Sequence, residues 1–194
     1  MPLAHTLRIV QGFRMICINL RAARLAIALA VILSAIAPAN AEQQASPLAS
    51  TIAEVKQKWP SLHHLPSSGV QSLIDDGKAV VFDVRSKEEY DTSHLPGAIL
   101  VDPTTGKDAF LAANAAALTG KTAVFYCAVG MRSSRLADRV GTDALKAAGA
   151  TDSVNLEGGI FAWNWEGRPL VDANGPTGKV HGYDAKWGKL VKPR

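Results

Sequence analysis

One stretch constrains the fold of this chain more than any other. A strand-like run over residues 122–126 is followed directly by a cysteine and a short glycine-containing loop. The loop is Cys127, Ala128, Val129, Gly130, Met131, Arg132 and Ser133, and a helical pattern begins at Ser133. A strand, a tight loop and a helix in this order are typical of α/β folds, whose sites lie at the carboxyl ends of the strands. The loop N–H groups and the positive end of the helix favour a thiolate. The sequence therefore predicts that this loop is the active site.

Apolar runs and helical patterns alternate through the middle of the chain. The predicted strands are 79–82, 98–101, 122–126 and 153–156, and the predicted helices include 67–77, 109–118, 133–148 and 160–165. Continuous apolar runs are typical of strands that are buried on both faces. We therefore predict an α/β fold with a small, mainly parallel sheet flanked by helices. Gly141 is expected to interrupt the helix that follows the cysteine loop.

The first 41 residues have the pattern of a secretory signal peptide. Arg21 and Arg24 precede an apolar run over residues 25–36, and Ala39-Asn40-Ala41 provides a small-x-small cleavage pattern. A membrane anchor needs roughly 20 apolar residues, so this run favours cleavage and a periplasmic or secreted protein over the alternative of an uncleaved anchor. Translation from Met1 and from Met15 are both open.

The charge distribution argues against nucleic acid as a partner. The first 41 residues hold four of the 21 basic residues and none of the 17 acidic ones, so the rest of the chain is formally neutral. A nucleic-acid-binding protein usually carries a basic stripe, and none is evident. After cleavage Cys127 is predicted to be the only cysteine, which rules out a disulfide within the mature chain.

The remaining segments complete the predicted domain organisation. Residues 42–66 are an N-terminal extension with a short helix that ends at Pro60, and His63-His64 is assigned to a surface loop. No third ligand at a usual spacing accompanies this histidine pair, so we predict neither a metal site nor an organic cofactor. The folded domain is predicted to span residues 67–171. Residues 172–194 form a tail whose aromatic side chains are expected to lie against the domain.

Three residues of the loop are expected to create an anion-binding cradle around Cys127. Gly130 allows the loop to curl so that its N–H groups point inward. Arg132 adds a planar cation suited to an oxyanion, and Ser133 begins the helix. A buried core cysteine beside a surface arginine is the non-functional alternative.

The chain resembles the rhodanese-like sulfurtransferases through four ordered motifs. These are Val80–Arg85, Glu89-Tyr90 with His94–Ala98, Cys127–Ser133, and Leu156–Gly159 with Trp163. The resemblance implies a three-layer fold and a ping-pong sulfur transfer. In that reaction Cys127 takes a sulfur atom from a donor such as thiosulfate and passes it, as a persulfide, to a thiol, to a cyanide-like acceptor or to a protein.

The matched motifs also supply residues that we expect to support the site. Asp83 is expected to accept bonds from loop N–H groups, and Arg85 is expected to pair with Glu89. His94 is assigned a structural role because this sulfur transfer needs no general base. The remaining two positions, Gly158 and Gly159, are expected to allow close backbone approach beside the loop.

Loop length and loop polarity decide between the rival readings. Cysteine-dependent phosphatases, including those related to this fold, place five residues between the loop cysteine and the loop arginine. Here four residues separate Cys127 from Arg132. The shorter loop favours a single sulfur atom over a phosphoryl group or arsenate. The apolar Ala128, Val129 and Met131 attract a dianion weakly, so persulfide, polysulfide and protein donors stay open beside thiosulfate. A non-catalytic binding module is the second hypothesis, and a thiol redox sensor is disfavoured because no resolving cysteine is present.

Overall fold

A five-stranded parallel sheet forms the centre of the computed structural model, which describes residues 47–192. The strand order is β1-β5-β4-β2-β3. The strands are β1 (His63–Leu65), β2 (Ala79–Asp83), β3 (Ile99–Leu100), β4 (Thr122–Tyr126) and β5 (Asp152–Leu156). The parallel sheet flanked by helices confirms the predicted α/β class, and β4, which precedes the cysteine loop, is the central strand.

Helices cover both faces of this sheet. They are α1 (Ala49–Lys58), α2 (Ser67–Asp75), α3 (Lys87–Thr92), α4 (Lys107–Leu118), α5 (Met131–Val140), α6 (Thr142–Ala147) and α7 (Gly159–Trp165). The helix after the cysteine loop begins at Met131, two residues before the predicted start. Gly141 has φ +84° and separates α5 from α6, as its sequence position suggested.

The side chains of the central strands alternate between two hydrophobic clusters. Phe82 and Phe125 point to one face, where they pack with Phe110 of α4 at ring distances of 4.9 and 5.5 Å. Val81 and Val124 point to the opposite face. Because both faces are buried, the strands carry apolar residues at successive positions. The result is a three-layer core that fixes the carboxyl end of β4.

The assignment of His63-His64 to a surface loop was wrong. Both residues belong to β1, which pairs in parallel with β5 at the edge of the sheet and starts before the predicted domain boundary at residue 67. The imidazole Nε2–H of His64 donates to the carbonyl of Trp59 at 3.0 Å. Main-chain pairing with a neighbouring strand therefore overrides the weak strand propensity of this segment.

The C-terminal segment has more regular structure than its sequence indicates. Strands β6 (Leu170–Asp172) and β7 (Gly175–Thr177) form an antiparallel hairpin, and Trp187–Leu190 forms a 3₁₀ helix. The indole N–H of Trp165 donates to the carbonyl of Leu190 at 2.7 Å. This bond ties the end of the tail to α7.

The predicted signal peptide, residues 1–41, lies outside the described residues. Between residues 47 and 192, no helix has the length and apolar character needed to cross a membrane.

Candidate active site

Cys127 lies directly after the central strand β4, at the floor of a small pocket. Its side chain is only 1% exposed, and the pocket above it has a volume of about 180 Å³. The backbone N–H of Gly130 donates to the cysteine sulfur at 3.2 Å. The first turn of α5 follows at once, and the N–H groups of such a turn have no acceptor within the helix. The arrangement can bind an anionic sulfur.

Two glycines shape the loop that holds this sulfur. Gly130 has φ +100°, and a Cβ atom there would lie 3.2 Å from the amide nitrogen of Asn155. Gly159 has φ +56°, and a Cβ atom there would lie 2.2 Å from the carbonyl oxygen of Cys127. The N–H groups of Ile160 and Phe161 donate to the carbonyls of Cys127 and Ala128. Close packing of α7 therefore fixes the loop backbone.

Gly158 has a different environment. Its φ is +66°, and a Cβ atom there would meet the side chains of Ala162 and Ile52 rather than the cysteine loop.

Arg132 is held by a carboxylate that the sequence interpretation assigned to another partner. Its two terminal nitrogens donate to the two carboxylate oxygens of Glu89, each at 2.7 Å. Burial opposes the charged form of Arg132, but the bonds to Glu89 and the charge of the Cys127 sulfur together raise the pKa of the guanidinium above its ordinary value. The cation beside Cys127 is therefore permanent, and Glu89 balances its charge.

Glu89 is itself positioned by the start of α3. The Ser86 hydroxyl accepts from the N–H of Glu89 at 3.2 Å, and the Glu89 carboxylate accepts from the N–H of Ser86 at 3.1 Å. These two bonds form a capping box, and the Ser-x-x-Glu spacing is typical of one. Burial opposes ionisation of Glu89, but the bonds from Arg132 and Ser86 outweigh it and lower the carboxyl pKa.

The expected pair of Arg85 and Glu89 was wrong. Arg85 instead donates twice to the Asp83 carboxylate, at 2.8 and 2.6 Å, and once to the carbonyl of Ser93 at 2.6 Å. Both charged side chains are fully buried. Residue spacing alone does not decide which carboxylate, Asp83 or Glu89, pairs with Arg85. The other carboxylate is then left for Arg132.

Asp83 was expected to accept bonds from loop N–H groups, and this was also wrong. Besides Arg85, it accepts a short bond from the hydroxyl of Tyr126, which in turn accepts from the N–H of Leu95 at 3.1 Å. Burial is the main reason that the pKa of Tyr126 is raised well above its ordinary value, so its hydroxyl stays protonated. Asp83 thus joins β2 to β4 below the site.

A series of side-chain hydrogen bonds connects the cysteine loop to the edge strand β1. The Ser133 hydroxyl donates to the Asn155 side-chain oxygen at 2.6 Å, and the Asn155 amide lies 3.3 Å from Nδ1 of His64. Because Nε2 of His64 donates to a carbonyl, Nδ1 is the ring nitrogen that can accept from the Asn155 amide. The sequence interpretation missed Asn155. An asparagine between the two apolar strand residues Val154 and Leu156 was the available signal.

His94 lies outside the pocket lining. Its ring stacks on Tyr90 with 3.8 Å between centroids, and its Nδ1 lies 3.0 Å from the carbonyl oxygen of Tyr90. Its backbone pairs with Val171 of β6. These contacts are those of a structural residue.

The pocket wall contains two aromatic residues of the tail. The lining consists of Cys127, Ala128, Val129, Met131, Arg132, Tyr183 and Trp187. The sequence predicted that tail aromatics lie against the domain, but not that they line the site. Cys127 and Tyr183 are more than 50 positions apart, and no sequence pattern links them. Between residues 47 and 192, no group of three potential metal ligands occurs.

Comparison with known proteins points to one family. Residues 68–166 match the model of the rhodanese-like domain. The "Probable adenylyltransferase/sulfurtransferase MoeZ" of Mycobacterium tuberculosis is 35% identical over 101 residues, which are 52% of this chain and 24% of that protein. A tRNA uridine(34) hydroxylase of Oceanobacillus iheyensis is 31% identical over 123 residues, which are 62% of this chain and 36% of the relative. The chain therefore spans about a quarter to a third of these two relatives.

The fold has a counterpart among solved structures. The BH2092 protein of Bacillus halodurans superposes with a TM-score of 0.51 at 18% identity, over 73% of this chain and 98% of that one. At this identity the likeness concerns the fold alone.

Proposed function

The chain belongs to the rhodanese-like domain family, and we propose that it is a sulfurtransferase that carries sulfane sulfur on Cys127. The Cys127 thiolate attacks the outer sulfur of a donor, the bond between the two donor sulfur atoms breaks, and the leaving group departs with the electron pair. With thiosulfate the leaving group is sulfite. A nucleophilic acceptor, such as a thiolate or cyanide, then attacks the terminal sulfur of the persulfide and restores the Cys127 thiolate.

One observation carries this proposal: the sulfur of Cys127 lies at the floor of a pocket and accepts the N–H of Gly130, with the guanidinium of Arg132 in the same wall. Hydrogen-bond donors and fixed positive charge stabilise the anion that forms during the transfer. A persulfide places one more anionic sulfur in the same pocket. No general base is needed, since the nucleophile and the leaving group are both anions.

The two rival functions fit the site less well. A phosphatase needs a loop that surrounds a phosphoryl group, and here both terminal nitrogens of Arg132 are bonded to Glu89 rather than directed around such a group. A non-catalytic binding module has no need of a cysteine at the floor of an open pocket.

A direct test is to follow sulfur on the protein. The mature chain is incubated with thiosulfate or with polysulfide, and intact mass spectrometry is expected to detect one added sulfur atom on Cys127. Cyanide then removes this atom as thiocyanate. Cys127→Ser is the matched variant, because it changes one atom and leaves the loop intact. Sulfur uptake that is absent in the wild-type protein, or equal in the variant, contradicts the proposal.

We also propose that the protein is exported. The apolar run and the Ala39-Asn40-Ala41 pattern support cleavage after residue 41. Expression of the full chain followed by mass measurement of the extracytoplasmic product tests this. A product that begins at Glu42 is expected, and a chain that stays in the cytoplasm contradicts the proposal.

A further inference from the structure

The pocket has one wall that the matched family region does not contribute. Tyr183 and Trp187 line the space above Cys127, whereas the match to the rhodanese-like domain ends at residue 166. The Asp184 carboxylate accepts from the N–H of Trp187 at 2.9 Å, and Lys192 donates to the carbonyl of Trp165 at 3.0 Å. Local and long-range bonds therefore hold the two rings over the site.

Arg132, the cation in the pocket lining, attracts an inorganic dianion only weakly. Among the residues that line the pocket, Arg132 is the one cation, and Glu89 balances its charge through two bonds of 2.7 Å. The ring of Tyr183 covers the guanidinium, with 4.7 Å between Cζ and the ring centroid. The other lining positions are apolar or aromatic, apart from Cys127 itself. A ligand gains more here from apolar contact than from charge.

The backbone of Tyr183 adds a second, independent observation. Its φ is +66°, and it is the one non-glycine residue between positions 47 and 192 with a positive φ. A bulky residue in this region of conformation is strained, because its Cβ atom comes too close to the following carbonyl oxygen. Strain of this kind persists where the surrounding structure enforces it, and it is common at ligand-binding sites. The strained residue is the one that covers Arg132.

We propose that Tyr183 and Trp187 make the site selective for sulfane-sulfur donors that carry an apolar organic group, such as organic thiosulfonates, over inorganic thiosulfate. This proposal rests on the proposed sulfur transfer. The thiolate of Cys127 attacks the outer sulfur of the thiosulfonate, the bond between the two sulfur atoms breaks, and an organic sulfinate leaves with the electron pair. The apolar group of the donor lies against the two rings, and the anionic sulfur reaches Cys127 and the N–H of Gly130.

Two donors with the same reactive group and the same charge isolate the contribution of the rings. Benzenethiosulfonate and methanethiosulfonate differ only in the apolar group, and thiosulfate provides the inorganic reference. Wild-type kcat/KM is expected to be highest for benzenethiosulfonate. The ratio of benzenethiosulfonate to methanethiosulfonate is expected to fall about two- to tenfold in Trp187→Ala and in Tyr183→Gly, as for the loss of one aromatic contact.

Tyr183→Gly is chosen because glycine adopts a φ of +66° without strain, so the chain is expected to remain folded. Lys189→Ala is the matched control, since Lys189 is an exposed residue of the same tail and lies outside the pocket. It is expected to leave the ratio unchanged.

Each result is decisive. A wild-type preference for thiosulfate, or a donor ratio that stays constant in both ring variants, overturns the selectivity while the sulfur transfer stands. Absence of sulfur uptake from all three donors overturns both proposals.

Discussion

Glu89 and Arg132 connect the first turn of α3 to the first turn of α5 through two parallel hydrogen bonds of 2.7 Å. The Glu89 side chain is 2% exposed and that of Arg132 is 22% exposed. The same carboxylate closes the capping box of α3. One side chain therefore fixes a helix start and the cation beside Cys127, so a change at Glu89 is expected to affect both stability and the site.

Glu89→Gln is expected to lower the free energy of unfolding by about 1–3 kcal/mol, because it leaves a partly buried guanidinium without its counter-charge. Urea unfolding followed by circular dichroism measures the loss. Glu88→Gln is the matched control on the same helix, since the Glu88 side chain is 83% exposed, and it is expected to change stability by less than about 0.5 kcal/mol. Equal losses in the two variants contradict the role assigned to the ion pair.

The same pair predicts a dependence of stability on acid pH. The pKa of Glu89 is lower in the folded protein than its ordinary value of 4.5. The ionised carboxylate therefore contributes stability that is fully present above about pH 4.5 and is lost as the pH falls through the lower folded-state pKa. Urea unfolding at a series of pH values should show a steeper acid-side decrease for the wild-type protein than for Glu89→Gln. Parallel curves would show that other carboxyl groups dominate.

The sequence was informative about elements and uninformative about ion-pair partners. Apolar runs favour buried strands and glycines favour helix breaks for local physical reasons. The central strands and the break at Gly141 were therefore predictable. The partner of Glu89 depends on how α3 and α5 approach each other across the fold. Asp83, Arg85, Glu89 and Arg132 allow several pairings of opposite charge, and only the three-dimensional arrangement selects among them.

The tail illustrates a second limit. Its aromatic residues indicated packing against the domain, but no periodic pattern marks a hairpin of two three-residue strands or a 3₁₀ helix of four residues. Such short elements depend on contacts with the rest of the protein, such as the pairing of Val171 with His94. The position of Tyr183 over Arg132 was for this reason beyond sequence reasoning.

Gly159→Ala is expected to be among the most damaging single substitutions. It adds a Cβ atom 2.2 Å from the carbonyl oxygen of Cys127 at a φ of +56°. Gly167→Ala separates the two effects, because Gly167 has φ +70° with no atom within 4 Å of an added Cβ. The control is expected to lose about 1–2 kcal/mol from backbone strain alone, and Gly159→Ala clearly more, with reduced sulfur uptake by Cys127. Similar losses of unfolding free energy would exclude a steric role for Gly159.

Ser133 and Ser134 offer a matched pair for the polar chain beside the loop. Both side chains are buried, but the Ser133 hydroxyl bonds Asn155 at 2.6 Å, whereas that of Ser134 has no hydrogen-bond partner among the described residues.

Removing a bonded hydroxyl leaves the Asn155 oxygen unsatisfied, so Ser133→Ala is expected to cost about 1–2 kcal/mol of unfolding free energy. Removing an unbonded hydroxyl at the same depth should cost less than about 0.5 kcal/mol or should stabilise the protein. Urea unfolding of the two variants under identical conditions measures the difference. A larger loss in Ser134→Ala than in Ser133→Ala would mean that packing, rather than the bond to Asn155, determines the stability of this turn.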